Sequence, residues 1–139
     1  MKKILILLCV IIVLMCSSCE PDGHRRYVCD RFEVESIQII RLDECKEEEL
    51  AFEYTVLVEI DDIETFVNRL NQVENCYYWD EPSTLKAQYI VIKIDYDNGD
   101  YDYLHQNAQL FNRSGITKPG SFYYYDEQFN SLVSDYLNE

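Results

Sequence analysis

Four aspartates with calcium-binding chemistry surround one predicted turn. Asp95, Asp97, Asp100 and Asp102 flank Asn98-Gly99, a pair typical of two-residue β-hairpin turns. Such a turn places Asp95 directly opposite Asp102, and a bound Ca²⁺ would relieve the repulsion between the two carboxylates. The spacing departs from an EF-hand loop, because Gly99 stands at the fifth ligand position and no glutamate closes the loop. We therefore predict a solvated acidic turn without a metal, with a calcium site at these four aspartates as the alternative.

Histidine chemistry is limited to His24 and His105. The two-residue turn sets Tyr96 opposite Tyr101, Ile94 opposite Tyr103 and Ile92 opposite His105, on the side of the sheet that we expect to form the core. A lone histidine there is more often a structural group than a catalytic base. No Ser/His/Asp or Cys/His arrangement and no metal-spaced His/Cys set can be argued. We therefore expect a protein that is not an enzyme and has no catalytic residue or cofactor. A small hydrolase would need His105 in an open cleft beside a nucleophile.

Two aromatic runs have the composition of binding surfaces. Tyr77, Tyr78 and Trp79 precede Asp80 in a predicted loop over residues 73–83, and Tyr123-Tyr124-Tyr125 precedes the second predicted helix. Tyrosine and tryptophan beside carboxylates form protein- or sugar-binding faces. We place the candidate binding site at Tyr77, Tyr78, Trp79 and Asp80. The alternative is that alternate tyrosines are half-buried on the sheet and Trp79 covers an edge of the core.

The N-terminal residues have the layout of an export signal. Lys2 and Lys3 precede an apolar run over residues 4–15, which is followed by Cys16-Ser17-Ser18-Cys19. The run is about 12 residues long, short of the roughly 20 that a spanning helix needs. It therefore predicts a cleaved signal and not a permanent transmembrane anchor.

Ser17-Ser18-Cys19 resembles the lipobox of bacterial lipoproteins, which implies acylation of Cys19 at the new N-terminus, for example with palmitate. Two or three acyl chains, at about 0.8 kcal/mol per buried methylene, would hold the chain on a membrane. Cys16 is the competing acceptor, although Met15 before it is larger than the small residue usual there. The alternative is an ordinary signal peptide cleaved near Ser18, which leaves Cys19 unmodified. We expect a lipid-anchored protein of the cell membrane or outer membrane, facing the periplasm or the exterior.

Three cysteines remain after Cys19, and an oxidising compartment favours a disulfide between two of them. We predict Cys45–Cys76, because the first helix runs back along the preceding strand toward the end of the sheet that holds Cys45. The loop of about 30 residues would contribute roughly 3–4 kcal/mol. Three small buried thiols are the alternative, and a Cys19–Cys29 bridge becomes reasonable if Cys19 is not acylated.

Charge limits the classes of partner. The chain has 12 Lys+Arg against 26 Asp+Glu, and loss of Lys2 and Lys3 with residues 1–18 changes its formal charge from −14 to −16. Such acidity disfavours nucleic acid and anionic membrane surfaces as partners, and it is compatible with a basic partner. A solvated surface without a partner is the simpler explanation.

Hydrophobic periodicity gives the elements that must position these residues. It predicts strands over 32–42, 50–60, 86–96, 101–111 and 122–125. Helices are predicted after Asp61 and Asp126, with stripes Ile63, Phe66, Val67 and Leu70, and Phe129, Leu132, Val133 and Tyr136. The order ββα-βββα predicts an α+β domain, in which an antiparallel sheet of about five strands has both helices on one face.

The segments 89–101 (YIVIKIDYDNGDY) and 122–129 (FYYYDEQF) resemble small single-domain bacterial lipoproteins without an assigned activity. The resemblance implies an anchored envelope domain and transfers no catalytic residue. We divide the chain into a signal (1–18), an acylated cysteine with a tether (19–31) and one domain (32–139). The predicted function is a non-catalytic binding module, and the alternative is an accessory envelope protein without a discrete ligand.

Overall fold

The fold was analysed in a computed structural model, which describes residues 26–30, 33–46, 51–77, 84–120 and 122–138. For Lys46, Ala51 and Tyr77 only the backbone is described. The predicted signal, Cys19 and His24 lie outside these residues. Within them, no helix is long and apolar enough to cross a membrane.

Eight strands and two helices make up the described chain. In chain order they are β1 (Val34–Lys46), β2 (Ala51–Glu59), α1 (Ile63–Gln72), β3 (Asn75–Tyr77), β4 (Ile90–Tyr96), β5 (Tyr101–His105), β6 (Ala108–Arg113), β7 (Ile116–Gly120), β8 (Phe122–Tyr124) and α2 (Asp126–Leu137). Six strands form an antiparallel sheet in the order β2-β1-β4-β5-β6-β7, and β3 pairs with β8. The predicted α+β class is confirmed, with six strands in the main sheet where about five were expected.

The main core lies between the sheet and the two helices. The predicted stripes supply it, since Phe66, Val67 and Leu70 of α1 and Phe129, Leu132 and Val133 of α2 are all buried. They pack with sheet residues including Ile37, Ile39, Ile92, Ile94, Tyr96 and Leu104. Local helical periodicity was therefore sufficient to locate the helix-covered side of the core.

The other face of the sheet carries a second apolar cluster, whose buried members are Ile40, Leu42, Leu85, Val91, Tyr103, Ala108 and Leu110. The alternation predicted for residues 50–60 does not persist through β2. An irregularity lies between the pairs Ile39–Val58 and Ile40–Val56, so that Val58 packs on the main core while Val56 lies on the other face.

The hairpin between β4 and β5 has a register one residue away from the prediction. Tyr96 donates its backbone N–H to the Asp100 carbonyl, and Gly99 donates to the Tyr96 carbonyl with φ +84°. The loop therefore contains three residues and closes on a left-handed glycine, because Asn98 does not adopt the positive φ of a type I′ turn. A two-residue turn with both central residues at positive φ occurs instead at Ser114-Gly115, between β6 and β7.

The changed register exchanges the two faces of β5. Ile94 pairs with Asp102 and Ile92 with Leu104, so Asp102 points into the main core and His105 does not. The predicted pairs of Ile94 with Tyr103 and Ile92 with His105 are therefore wrong.

Smaller differences concern the ends of elements. The strand predicted over 101–111 is divided by a turn at Gln106-Asn107, and β7 lies where no strand was predicted. Helix α1 is capped by Asp62 and not Asp61, because the Asp62 carboxylate accepts hydrogen bonds from both the backbone N–H and the hydroxyl of Thr65. Helix α2 has Tyr125 at its N-cap and Asp126 in its first turn.

Candidate functional site

Asp102 is the centre of a buried polar network that the sequence analysis did not anticipate. Its side chain is completely buried. The Oδ2 atom accepts hydrogen bonds from the hydroxyls of Tyr27 at 2.6 Å and Tyr96 at 2.8 Å. Arg113 donates from Nε to Oδ1 at 2.9 Å and from its terminal nitrogen to Oδ2 at 2.5 Å. A buried carboxylate is tolerated here because a cation and two hydroxyls satisfy it.

Both tyrosine hydroxyls of this network donate their protons to Asp102. Tyr27 and Tyr96 each have one hydroxyl proton, and both donate to Asp102, so the 3.2 Å between their oxygens is a close contact. Arg113 also donates to the Tyr96 hydroxyl at 3.0 Å and lies over its ring at 4.3 Å from the centroid. Burial, followed by the negative charge of Asp102, raises the pKa of both tyrosines. Both hydroxyls therefore stay protonated, and their hydrogen bonds to Asp102 of β5 join residues 26–30 to β4 and β5.

The network also holds the last residues of the predicted tether. Tyr27 and Cys29 are buried in the main core, and Tyr27 stacks on Phe111 with 5.8 Å between ring centroids. The Asn75 side chain accepts a hydrogen bond from the Tyr27 backbone N–H at 2.8 Å. The Asn71 side chain accepts one from the Cys29 backbone N–H at 2.9 Å. Residues 26–30 thus belong to the domain, which corrects the predicted boundary at residue 32.

His105 lies at a groove between α2 and the ends of the central strands. Its ring stacks on the Tyr89 ring, with 4.1 Å between the ring centroids. Its Nδ1 is 2.9 Å from Oδ1 of Asn107. Because an amide oxygen only accepts, Nδ1 donates and Nε2 is left unprotonated in the neutral ring. Burial lowers the pKa of His105, which favours that neutral form at physiological pH. The Ser134 hydroxyl, which also lines the groove, donates to the Ser131 carbonyl.

The groove has a volume of about 410 Å³. It is lined by Gln88, Tyr89, Ile90, His105, Gln106, Phe129, Asn130, Val133, Ser134 and Leu137. None of these side chains is an aspartate, glutamate, lysine or arginine, although charged residues make up 27% of the chain. Asp126 is the carboxylate that acts on the His105 pKa, and its effect is smaller than those of burial and Asn107.

The two edges of the main sheet differ in how they are protected from other strands. β7 is five residues long and contains Lys118 and Pro119, both of which discourage pairing with another strand. β2 is nine residues long and has no proline, lysine or arginine. Its apolar side chains are exposed at Tyr54 (38%), Val56 (39%) and Leu57 (37%). Asp43, Glu44, Glu53 and Glu59 are exposed acids of β1 and β2, and Asp43 forms an ion pair with Arg41. We call β2 with these three apolar side chains the β2 edge.

The four hairpin aspartates do not converge on a calcium site. Asp102 pairs with Arg113 in the core, and Asp95 forms an ion pair with Lys93. Asp100 accepts a hydrogen bond from the Ser114 backbone N–H at 2.6 Å, and Asp97 is exposed. Among the described residues no group of three or more metal-ligating side chains is present. The expected repulsion between Asp95 and Asp102 is absent, because Asp95 faces Tyr101.

The predicted Cys45–Cys76 disulfide does not form between the described residues. Cys45 is near the end of β1 and pairs with Phe52 of β2, whereas Cys76 lies in β3 and pairs with Tyr123 of β8. After α1 the chain enters the second sheet and does not return to the end of β1. Cys29 is buried, and its thiol lies 3.8 Å from the Tyr96 hydroxyl.

The predicted aromatic binding site falls largely outside the described residues. Tyr78, Trp79 and Asp80 are not described, and only the backbone of Tyr77 is, in β3. In the second run, Tyr124 is buried and Tyr125 is 59% exposed. The Tyr124 hydroxyl has no hydrogen-bond partner among the described residues. Cys19, the predicted acylation site, is likewise outside them.

Comparisons with protein-family models, with curated proteins and with solved structures gave no match.

Proposed function

We propose that this chain is a lipid-anchored protein of the bacterial cell envelope whose domain binds a protein partner without catalysing a reaction. The anchor is inferred from the signal over residues 1–18 and from Cys19. The binding role is inferred from a single observation, the unprotected β2 edge with its exposed Tyr54, Val56 and Leu57.

An edge strand offers a partner two kinds of interaction. Its outward backbone N–H and C=O groups can pair with an added strand, which supplies affinity, while its side chains supply specificity. Among the described strands only β1 pairs with β2, and we assign the partner to the other side of β2. The short, lysine- and proline-containing β7 lacks these properties, so the binding role is assigned to one edge of the sheet.

Charge defines the partner that this edge would accept. The chain carries a formal charge of −14, and exposed acids flank β2 on the edge and on β1. Two copies of such a chain repel each other, whereas a basic segment is attracted and guided to the surface. The partner is therefore an extended segment rich in lysine or arginine.

The proposed anchor restricts where that partner is found. Tyr27 and Cys29 are fixed in the core, so residues 20–25 are all that separates Cys19 from the domain. Even when fully extended, this stretch spans at most about 25 Å. The domain would thus be held close to the membrane surface, and its partner would be an envelope protein.

The anchor is tested by metabolic labelling with palmitate in cells that express the full chain. Wild-type and Cys16→Ser proteins should incorporate the label and remain in the membrane fraction, whereas Cys19→Ser should do neither. Incorporation by Cys19→Ser, or its loss in Cys16→Ser alone, would contradict the assignment.

The binding role is tested by capture from detergent-solubilised native envelopes with three matched variants. Val56→Lys and Leu57→Lys each add one positive charge at the β2 edge, and Ile116→Lys adds the same charge at β7. One envelope species should be retained by wild type and Ile116→Lys and lost by the β2 variants. Absence of any such species, or equal retention by all variants, would favour the accessory envelope protein without a discrete ligand.

A further inference from the structure

We propose that the groove at His105 is a binding site for a small uncharged polyhydroxylated ligand, a saccharide. The site is separate from the β2 edge and does not depend on the function proposed for that edge. It is formed by the last turns of α2 together with the start of β4 and the turn that follows β5.

The first argument is the chemistry of the lining. Gln88, Gln106 and Asn130 supply side-chain amides, each of which donates and accepts hydrogen bonds, as a sugar hydroxyl does. Among the described residues the lining contains no aspartate, glutamate, lysine or arginine, in a protein where acids outnumber bases by 26 to 12. A charged ligand would have no counter-ion among these lining side chains, with Asp126 as the nearby carboxylate that acts on His105, whereas a neutral polar ligand needs none.

The second argument is the apolar part of the same groove. Phe129 and Val133 line the groove but are buried in the main core, so its accessible apolar surface comes from exposed Ile90 and from the Tyr89–His105 stack. Pyranose rings combine an apolar C–H face with a rim of hydroxyls, which suits an aromatic and aliphatic surface with amides around it. The volume of about 410 Å³ lies within the range typical of small-ligand sites, roughly 300–1,000 Å³.

The third argument is local strain. Gln88 adopts φ +71°, a left-handed conformation that is costly for a residue with a side chain. It is held there because its N–H donates to the Leu42 carbonyl at 2.7 Å, and Leu42 donates to the Tyr89 carbonyl at 3.0 Å. Strained residues that the surrounding structure fixes are concentrated at ligand sites.

A peptide is the competing occupant, and the sheet topology argues against it. Extended peptides bind by pairing with an unoccupied strand edge, but β4 and β5 are both central strands with neighbours on each side. The groove therefore offers side chains and few main-chain partners, which favours a saccharide.

The test is a nuclear magnetic resonance titration of the full domain with four probes. Chitotriose and maltotriose are the neutral sugars, a trigalacturonate is the charged control, and an acetylated and amidated trialanine is the peptide control. A neutral sugar should shift the backbone signals of His105, Gln106 and Asn130, and the two controls should not.

Two neighbouring substitutions in α2 make the test specific. Asn130→Ala removes one amide from the groove, and Ser131→Ala alters the groove on the other side of the helix, which Arg69 and Glu127 also line. Asn130→Ala should weaken sugar binding about fivefold, in line with one lost neutral hydrogen bond, and Ser131→Ala should leave it unchanged. The proposal is refuted by the absence of shifts with either sugar at millimolar concentration, by equal binding of trigalacturonate or the peptide, or by equal effects of the two variants.

Discussion

Asp102→Asn should destabilise the domain strongly while leaving it folded. The substitution keeps the size of the side chain but removes its charge and replaces one accepting oxygen by a donating amide. Oδ1 and Oδ2 together accept four hydrogen bonds from Tyr27, Tyr96 and Arg113, so at least one donor loses its acceptor. Arg113 also loses its counter-ion.

The magnitude follows from the burial of the two partners. Removing one member of a buried ion pair costs about 3–5 kcal/mol. Asp102 is fully buried, but the Arg113 side chain is 39% exposed and can recover some hydration. The lower end of that range, about 3 kcal/mol, is therefore expected. For a domain of this size it corresponds to a fall in Tm of roughly 12 °C.

Urea unfolding followed by fluorescence measures this difference, with Asp97→Asn as the matched control. Asp97 belongs to the same hairpin and is exposed, so its substitution should change the free energy of unfolding by no more than about 0.5 kcal/mol. A cost below about 1 kcal/mol for Asp102→Asn, or one equal to that of the control, would refute the buried network.

Three further results are expected. Gly120→Ala should lower the free energy of unfolding by about 1–3 kcal/mol, because a Cβ there would lie 2.3 Å from Cε2 of Phe111. Lys118→Ala changes an exposed residue of the same strand and should lower it little. Equal thermal stability of the two variants would contradict this. Burial raises the pKa of Cys29 to about 11, so the stability it contributes is complete below about pH 9 and is lost as the pH rises toward 11. Iodoacetamide should accordingly label native Cys29 more slowly than Cys76, and equal rates would contradict its burial. His105 should titrate below its ordinary pKa of 6.5. Its contribution to stability should be present above pH 6.5 and lost as the pH falls through the lowered pKa. An imidazole titration at or above pH 6.5 in nuclear magnetic resonance spectra would contradict this.

Features set by local periodicity could be predicted from the sequence. The stripes of α1 and α2 repeat within a few residues, and hydrophobic burial selects one face of each helix without reference to distant strands. The α+β class follows from that pattern together with the alternation in the strands.

The register of the hairpin could not be predicted, because Asn98-Gly99 is compatible with two loop lengths. Gly99 serves either as the second central residue of a two-residue turn or as the left-handed residue that closes a three-residue loop. The two choices differ by one residue, and that difference moves Asp102 from the exposed face to the core. This shift is the first reason why the buried network was missed.

The second reason is that the sequence identifies candidate members of the network but not their pairing. Tyr27, Tyr96 and Arg113 are hydrogen-bonding residues beside or within apolar stretches, and a buried aspartate requires such partners. Their pairing joins positions up to 75 residues apart, however, and no local pattern specifies contacts at that separation. The turn at Gln106-Asn107 was missed because it has neither glycine nor proline.

The most direct test of the binding role is photo-cross-linking in living cells, with a photoreactive amino acid placed at position 56 or 116 of the full chain. Both positions are exposed, and they lie on opposite edges of the sheet. A discrete adduct with a basic envelope protein is expected from position 56 and none from position 116. No adduct at 56, or the same adducts from both positions, would contradict the assignment of the β2 edge as the partner-binding surface.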